Sequence, residues 1–270
     1  MKLGIGSHTF PWAIGLPGAT PARPLKPLHL LEKAQELGVG LVQFGPNMAL
    51  GRLADHELAD LIRHAKSWNI DLEMATVGIT PELLRERIKF ARRFGIILLK
   101  TTPEDPAGRV PMRTEILNCL TSVVDELETS EIGLAIDNSS IPAPELNGLL
   151  EHVGNPWLGA ALDTASPLAL LQGWQLSARV LAHRTLSLHI KDFVVQAAAH
   201  GMGFSIQGCP VGKGQLSVPW LVDSFAALRI KPSTIVESWT PAQKTLEETI
   251  ALEQQWARQG VDYLRRFIAD

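Results

Sequence analysis

The chain has 270 residues, 46% of them apolar, enough to bury one sizeable core in a single domain over 1–270. A formal net charge of −3 without a long Lys/Arg run excludes the electrostatic footprint of a nucleic-acid binder, so a small soluble substrate is the expected partner. Cys119 and Cys209 lack C-x-x-C spacing, and no apolar run reaches membrane-spanning length, so the expectation is a cytoplasmic chain with neither disulfide framework, zinc knuckle nor membrane partner.

From the N-terminus, short β-rich segments alternate with stretches of helical period, as in repeated βα units around a parallel sheet. Strands are predicted over 3–7, 40–44, 71–76, 96–100, 133–137, 158–162, 185–191 and 233–237. Between them, helices are predicted over 28–37, 55–68, 81–94, 114–127 and 246–267. Thr80, Pro81 and Glu82 supply an N-cap, a fixed first φ and an early negative charge, while Gly38 and Gly95 stand where helices stop. The alternation specifies an α/β fold, a single-domain (β/α)8 TIM barrel. Two stretches interrupt the rhythm: a proline-rich run over 11–27, and the glycine-rich 193–214, read as an active-site loop.

In such a barrel the C-terminal strand ends converge on one face. The predicted strands five to eight end in Asp137-Asn138, Asp163-Thr164, His189-Ile190-Lys191-Asp192 and Glu237-Ser238. One aspartate after a strand is usually a turn or cap residue, and a lone His189 would be a buried structural histidine. Four such residues on consecutive strands are different, because three carboxylates in one mouth repel unless a cation lies among them. Asp137, Asp163, His189 and Glu237 are therefore the expected ligands of one divalent metal, with Mn²⁺ favoured and Mg²⁺, Zn²⁺ or Co²⁺ compatible.

Other residues at the same face are candidate substrate contacts: His8, Gln43, Asn47 and Lys100 at the first, second and fourth strand ends, and Trp12 and Trp239 just beyond the first and last strands. His200 in the glycine-rich segment is a candidate to swing over the metal. Lys191 points with His189 by strand alternation and is set to bind a substrate carboxylate or alkoxide, or else to form a salt bridge in the mouth. Asp192 is read as a loop anchor. Helical tryptophans leave room for a homodimer.

The segments Leu162-Asp163-Thr164, His189-Ile190-Lys191-Asp192, Gly212-Lys213-Gly214-Gln215-Leu216 and Glu237 resemble the xylose-isomerase-like TIM-barrel superfamily over essentially the whole chain. The stretches Gly4-Ile5-Gly6-Ser7, Trp12-Ala13-Ile14-Gly15, Lys191-Asp192-Phe193, 200–204 and Glu237-Ser238-Trp239-Thr240-Pro241 are similar to a narrower branch that includes 3-oxo-isoapionate decarboxylases. The resemblance implies Glu, Asp, His and Glu as metal ligands on strands five to eight. This chain departs by carrying Asp137 on strand five, a carboxylate about 1.5 Å shorter in reach, and Gly45-Pro46-Asn47 where the branch has an acidic residue before Asn.

The expected chemistry is a metal-stabilised enediolate, with Glu237, Asp137 and Lys191 as catalytic candidates. Proton return to another carbon makes the chain a sugar or sugar-acid isomerase or epimerase, the leading expectation. Loss of CO₂ from a 3-oxo sugar acid makes it a decarboxylase, the sharper alternative. Less favoured are an AP endonuclease, which needs further metal ligands and a phosphate-tracking surface, and a metal-poor binding barrel, supported by Asp137 alone.

Overall fold

The computed structural model describes residues 1–105, 107–198 and 201–268, so His200 lies outside the described residues. Eight strands close a parallel barrel: β1 (Lys2–Gly6), β2 (Leu41–Phe44), β3 (Asp71–Val77), β4 (Ile96–Thr102), β5 (Gly133–Asp137), β6 (Leu158–Asp163), β7 (Thr185–Ile190) and β10 (Ser233–Val236), with β1 sealing against both β2 and β10. Their outward residues, among them Leu3, Ile5, Val42, Leu99, Leu134 and Leu188, are buried beneath the surrounding helices, because a parallel barrel strand has both faces covered.

The helices are α1 (Pro11–Ile14), α2 (Pro27–Leu37), α3 (Asp55–Ser67), α4 (Pro81–Phe94), α5 (Arg113–Thr121), α6 (Val124–Ser130), α7 (Ala143–Val153), α8 (Trp174–Leu181), α9 (Val218–Leu228) and α10 (Leu246–Leu264). The Thr80 hydroxyl accepts from Leu83 N at 3.3 Å at the start of α4, and Gly38 and Gly95 end α2 and α4 at φ 67°, where a Cβ would be strained. The single helix expected over 114–127 is instead two, because Val123 leaves helical geometry at φ −116°, ψ 0° and starts a second helix.

A larger difference concerns 193–214. The active-site loop expected there is built on a hairpin: β8 (Asp192–Ala197) and β9 (Phe204–Cys209) pair antiparallel from Asp192 opposite Cys209 to Ala197 opposite Phe204. The hairpin rises from the C-terminal end of β7, and its root is tied by Asp192. That buried carboxylate accepts from the backbone amides of Phe193, Gly212, Gly214 and Leu216 at 2.8–3.0 Å.

Strand register decides what faces the barrel interior. Paired residues point the same way, so Gly6, Gln43 and Glu73 share one interior layer. Asp163 and His189 share another with Ile235. The interior apolar cluster is small, Leu98, Ala135 and Ala161 with Leu186 against them, and much of the remaining space holds polar side chains. A side chain on Gly4 would run into Leu41 across the β1–β2 pair, so that close approach needs glycine.

Candidate metal centre and substrate cavity

Asp163 and His189 are directly opposite in the β6–β7 ladder, and Glu237 follows β10, its amide bonded to the Ile190 carbonyl at 3.0 Å. These strand ends bring one ligand atom from each of Asp163, His189 and Glu237 within 4.8 Å of one another, all buried. His189 Nδ1 lies 3.2 Å from Glu237 Oε1 without hydrogen-bond alignment, so both imidazole nitrogens and that oxygen are buried polar atoms with no hydrogen-bond partner. Orphaned atoms of this kind carry a desolvation cost that a shared cation would remove. The donor set of one imidazole and two carboxylates fits a divalent transition metal or Mg²⁺.

Asp137 stands outside that group. Its Oδ2 is 2.5 Å from Lys100 Nζ, with both side chains nearly buried, and its Oδ1 accepts from Ser139 N at 2.8 Å. The shorter carboxylate closes a salt bridge with β4, and Lys100, expected to meet substrate, is its partner. Against the downward push of burial, Asp137 and then Glu237 hold the Lys100 ammonium above its ordinary range.

Lys191 is the second internal cation. Its Nζ lies 2.5 Å from Asp163 Oδ2 and 2.8 Å from Glu237 Oε2. Burial, the largest single effect, acts to raise both acids, but Lys191 together with His189 holds Asp163 and Glu237 below the usual carboxylate range, Glu237 well below. The same two carboxylates raise the Lys191 ammonium despite its own burial. The lowering favours the ionised carboxylates that metal coordination requires.

His8, Trp12, Lys191 and Trp239 line a cavity of about 330 Å³ together with Pro11, Leu16, Ser238 and Thr240. Burial lowers the His8 imidazole, with Glu237 opposing and Lys100 and Lys191 reinforcing that shift, which leaves it neutral near pH 7. Gln43 and Asn47 have other occupations: Gln43 Nε2 donates to Glu73 at 2.9 Å, and the Asn47 amide is engaged by Ser7, whose hydroxyl donates to Asn47 Oδ1 at 2.6 Å.

Two positioning residues escaped the reading of the sequence. Asn138 Oδ1 accepts from the Asp163 amide at 2.9 Å, and the Thr164 hydroxyl accepts from Lys191 N at 2.9 Å and donates to Lys191 O at 2.8 Å. Each directly follows a strand-end acid, which was the available signal.

This architecture recurs among solved structures as the xylose isomerase-like TIM barrel, a fold found in enzymes that include sugar epimerases. D-psicose 3-epimerase, solved in the presence of D-fructose, superposes with a TM-score of 0.73 at 14% identity, covering 100% of each chain. The IOLI protein with a bound zinc atom does so at 0.71 and 16% identity, again over 100% of each. In sequence the chain is similar to the 3-oxo-isoapionate decarboxylase of Pectobacterium atrosepticum, 28% identical over 265 residues, 98% of this chain and 95% of that protein. No family model matches the chain. Among the described residues, no helix is long and apolar enough to cross a membrane.

Proposed function

We propose that this protein is a divalent-metal-dependent decarboxylase of a 3-oxo sugar acid. Asp163, His189 and Glu237 are the residues that would hold the metal. A divalent cation there supplies Lewis-acid polarisation of the substrate carbonyl and its neighbouring hydroxyl. Mn²⁺ remains our preferred ion.

The observation that carries the choice of reaction is the Lys100–Asp137 pair, at 2.5 Å in the mouth beside the Lys191–Asp163–Glu237 group. Moving a proton between two faces of a sugar carbon calls for a base on each side. Here Asp137, the strand-end acid outside the metal group, is neutralised by Lys100, which argues against epimerisation. Decarboxylation needs no carbon base. The bond to the carboxylate breaks, its electron pair passes to the neighbouring carbonyl oxygen, and one proton is then delivered to the carbon.

Lys191, which reaches both the carboxylate cluster and the 330 Å³ cavity, is the cation positioned to receive the substrate carboxylate. His8 on the same wall takes a proton from bulk water at the cavity opening and passes it to the carbon, which completes the product. Trp12 and Trp239 exclude water around the sugar. The 28% relative, matched along nearly the whole chain, supports the same reading.

The test is CO₂ release from 3-oxo-isoapionate by Mn²⁺-loaded protein. Stoichiometric release is expected, and Lys191→Met should reduce kcat/KM by about a hundredfold, the scale of one lost charge-assisted contact. Ketose interconversion without CO₂ would overturn the proposal in favour of an isomerase.

A further inference from the structure

Glu253 is a fully buried carboxylate in α10, remote in sequence from every strand end. Its two oxygens take successive backbone amides of α1: Oε1 accepts from Trp12 N at 2.9 Å and Oε2 from Ala13 N at 3.1 Å. Helix α1 has four residues, its first is a proline without an N–H, and its N-cap, Phe10, makes no side-chain cap. The amides of residues 12 and 13 are therefore donors left over at a helix start, and Glu253 supplies from another helix the acceptors that a local cap would have provided.

Packing does not explain this residue. An apolar side chain of similar volume would fill the space without the cost of burying a carboxyl. What it adds is a fixed reference. The Trp12 indole Nε1 donates to the Thr240 carbonyl at 2.9 Å, placing the ring on the wall of the 330 Å³ cavity. At the other end, Gly260 lets α10 sit against Val236, the last residue of β10, next to Glu237.

We infer that Glu253 is a positioning residue for the substrate cavity: its carboxyl group seats the α1 turn so that the Trp12 indole holds its place relative to Glu237 and Lys191. The inference rests on the reading of that cavity as the substrate site.

Two measurements on the whole chain test it, the first with diamagnetic Mg²⁺ bound and the second with Mn²⁺ bound. The first is the NMR resonance of the Trp12 indole N–H, identified by its loss in Trp12→Phe. The second is steady-state kinetics on 3-oxo-isoapionate. In Glu253→Ala the resonance should shift and exchange faster with solvent, and KM should rise about tenfold with kcat within about twofold. Glu253→Gln, which keeps one acceptor and the volume, should fall between, and it carries the same readouts if the alanine variant does not fold. A Trp12 resonance unmoved in a folded variant, or a fall in kcat at constant KM, overturns the inference. Absence of CO₂ release by the parent would defeat the functional reading instead, and the resonance alone would then decide the role of Glu253.

Discussion

Lys191 bridges Asp163 and Glu237 while Lys100 engages Asp137, so the barrel mouth contains two lysines and three acids in two separable groups. This separation makes the metal reading testable residue by residue. Asp163→Ala and His189→Ala should abolish stoichiometric metal in purified protein, whereas Asp137→Ala should retain it. Asp137→Ala should instead cost about 3–5 kcal/mol of stability, because Lys100 is left as a buried, unpaired cation. Elemental analysis and denaturant unfolding read the two effects apart; metal loss on Asp137→Ala would restore it to the ligand set. The sequence placed all these side chains at strand ends, because position within the βα repeat is local information. It did not show which acid meets which lysine, since Lys100 and Asp137 come together through the register of β4 on β5, where Lys100 pairs with Ala135. That register is settled only when the barrel closes.

At the level of elements, the barrel strands were legible and the hairpin was not, for one physical reason. Strands buried on both faces read as short apolar runs bounded by turn residues. β8 and β9 stand largely outside the barrel, with Val195, Phe204 and Ile206 exposed, and they are held by their mutual ladder rather than by an apolar face. Asp192 stabilises the base of this hairpin through four amides, two of them from the glycines of the Gly212-Lys213-Gly214 turn. Replacing it with alanine removes all four acceptors at a buried site, where hydrogen bonds to a charged group contribute about 1.5–3 kcal/mol each and are not additive. Asp192→Ala should therefore lose at least about 3 kcal/mol of stability. The Gly212, Gly214 and Leu216 amides should exchange faster than those of β5. Unchanged protection at those three amides would show that the turn holds itself.

For the molecule as a whole, α10 is the last helix packed on the barrel, and through Glu253 it grips α1 just after β1. The contact between α10 and α1 thus runs through a buried titratable group. Burial pushes the Glu253 carboxyl up to about 7 from 4.5, against two amide donors that favour the ionised form. A carboxyl whose folded value is raised binds its proton more tightly in the folded chain. Its contribution is fully present below pH 4.5 and is lost as pH rises through about 7. The unfolding free energy of the parent, relative to Glu253→Gln, should fall by about 3 kcal/mol across that interval. Taking the difference against a non-titrating variant cancels the remaining acids, including the cluster around Lys191. Urea unfolding of both proteins at several pH values through the window measures it. A difference that stays flat or grows with pH would mean that the Trp12 and Ala13 amides outweigh burial, so that α10 is fastened to α1 by a permanently ionised carboxylate.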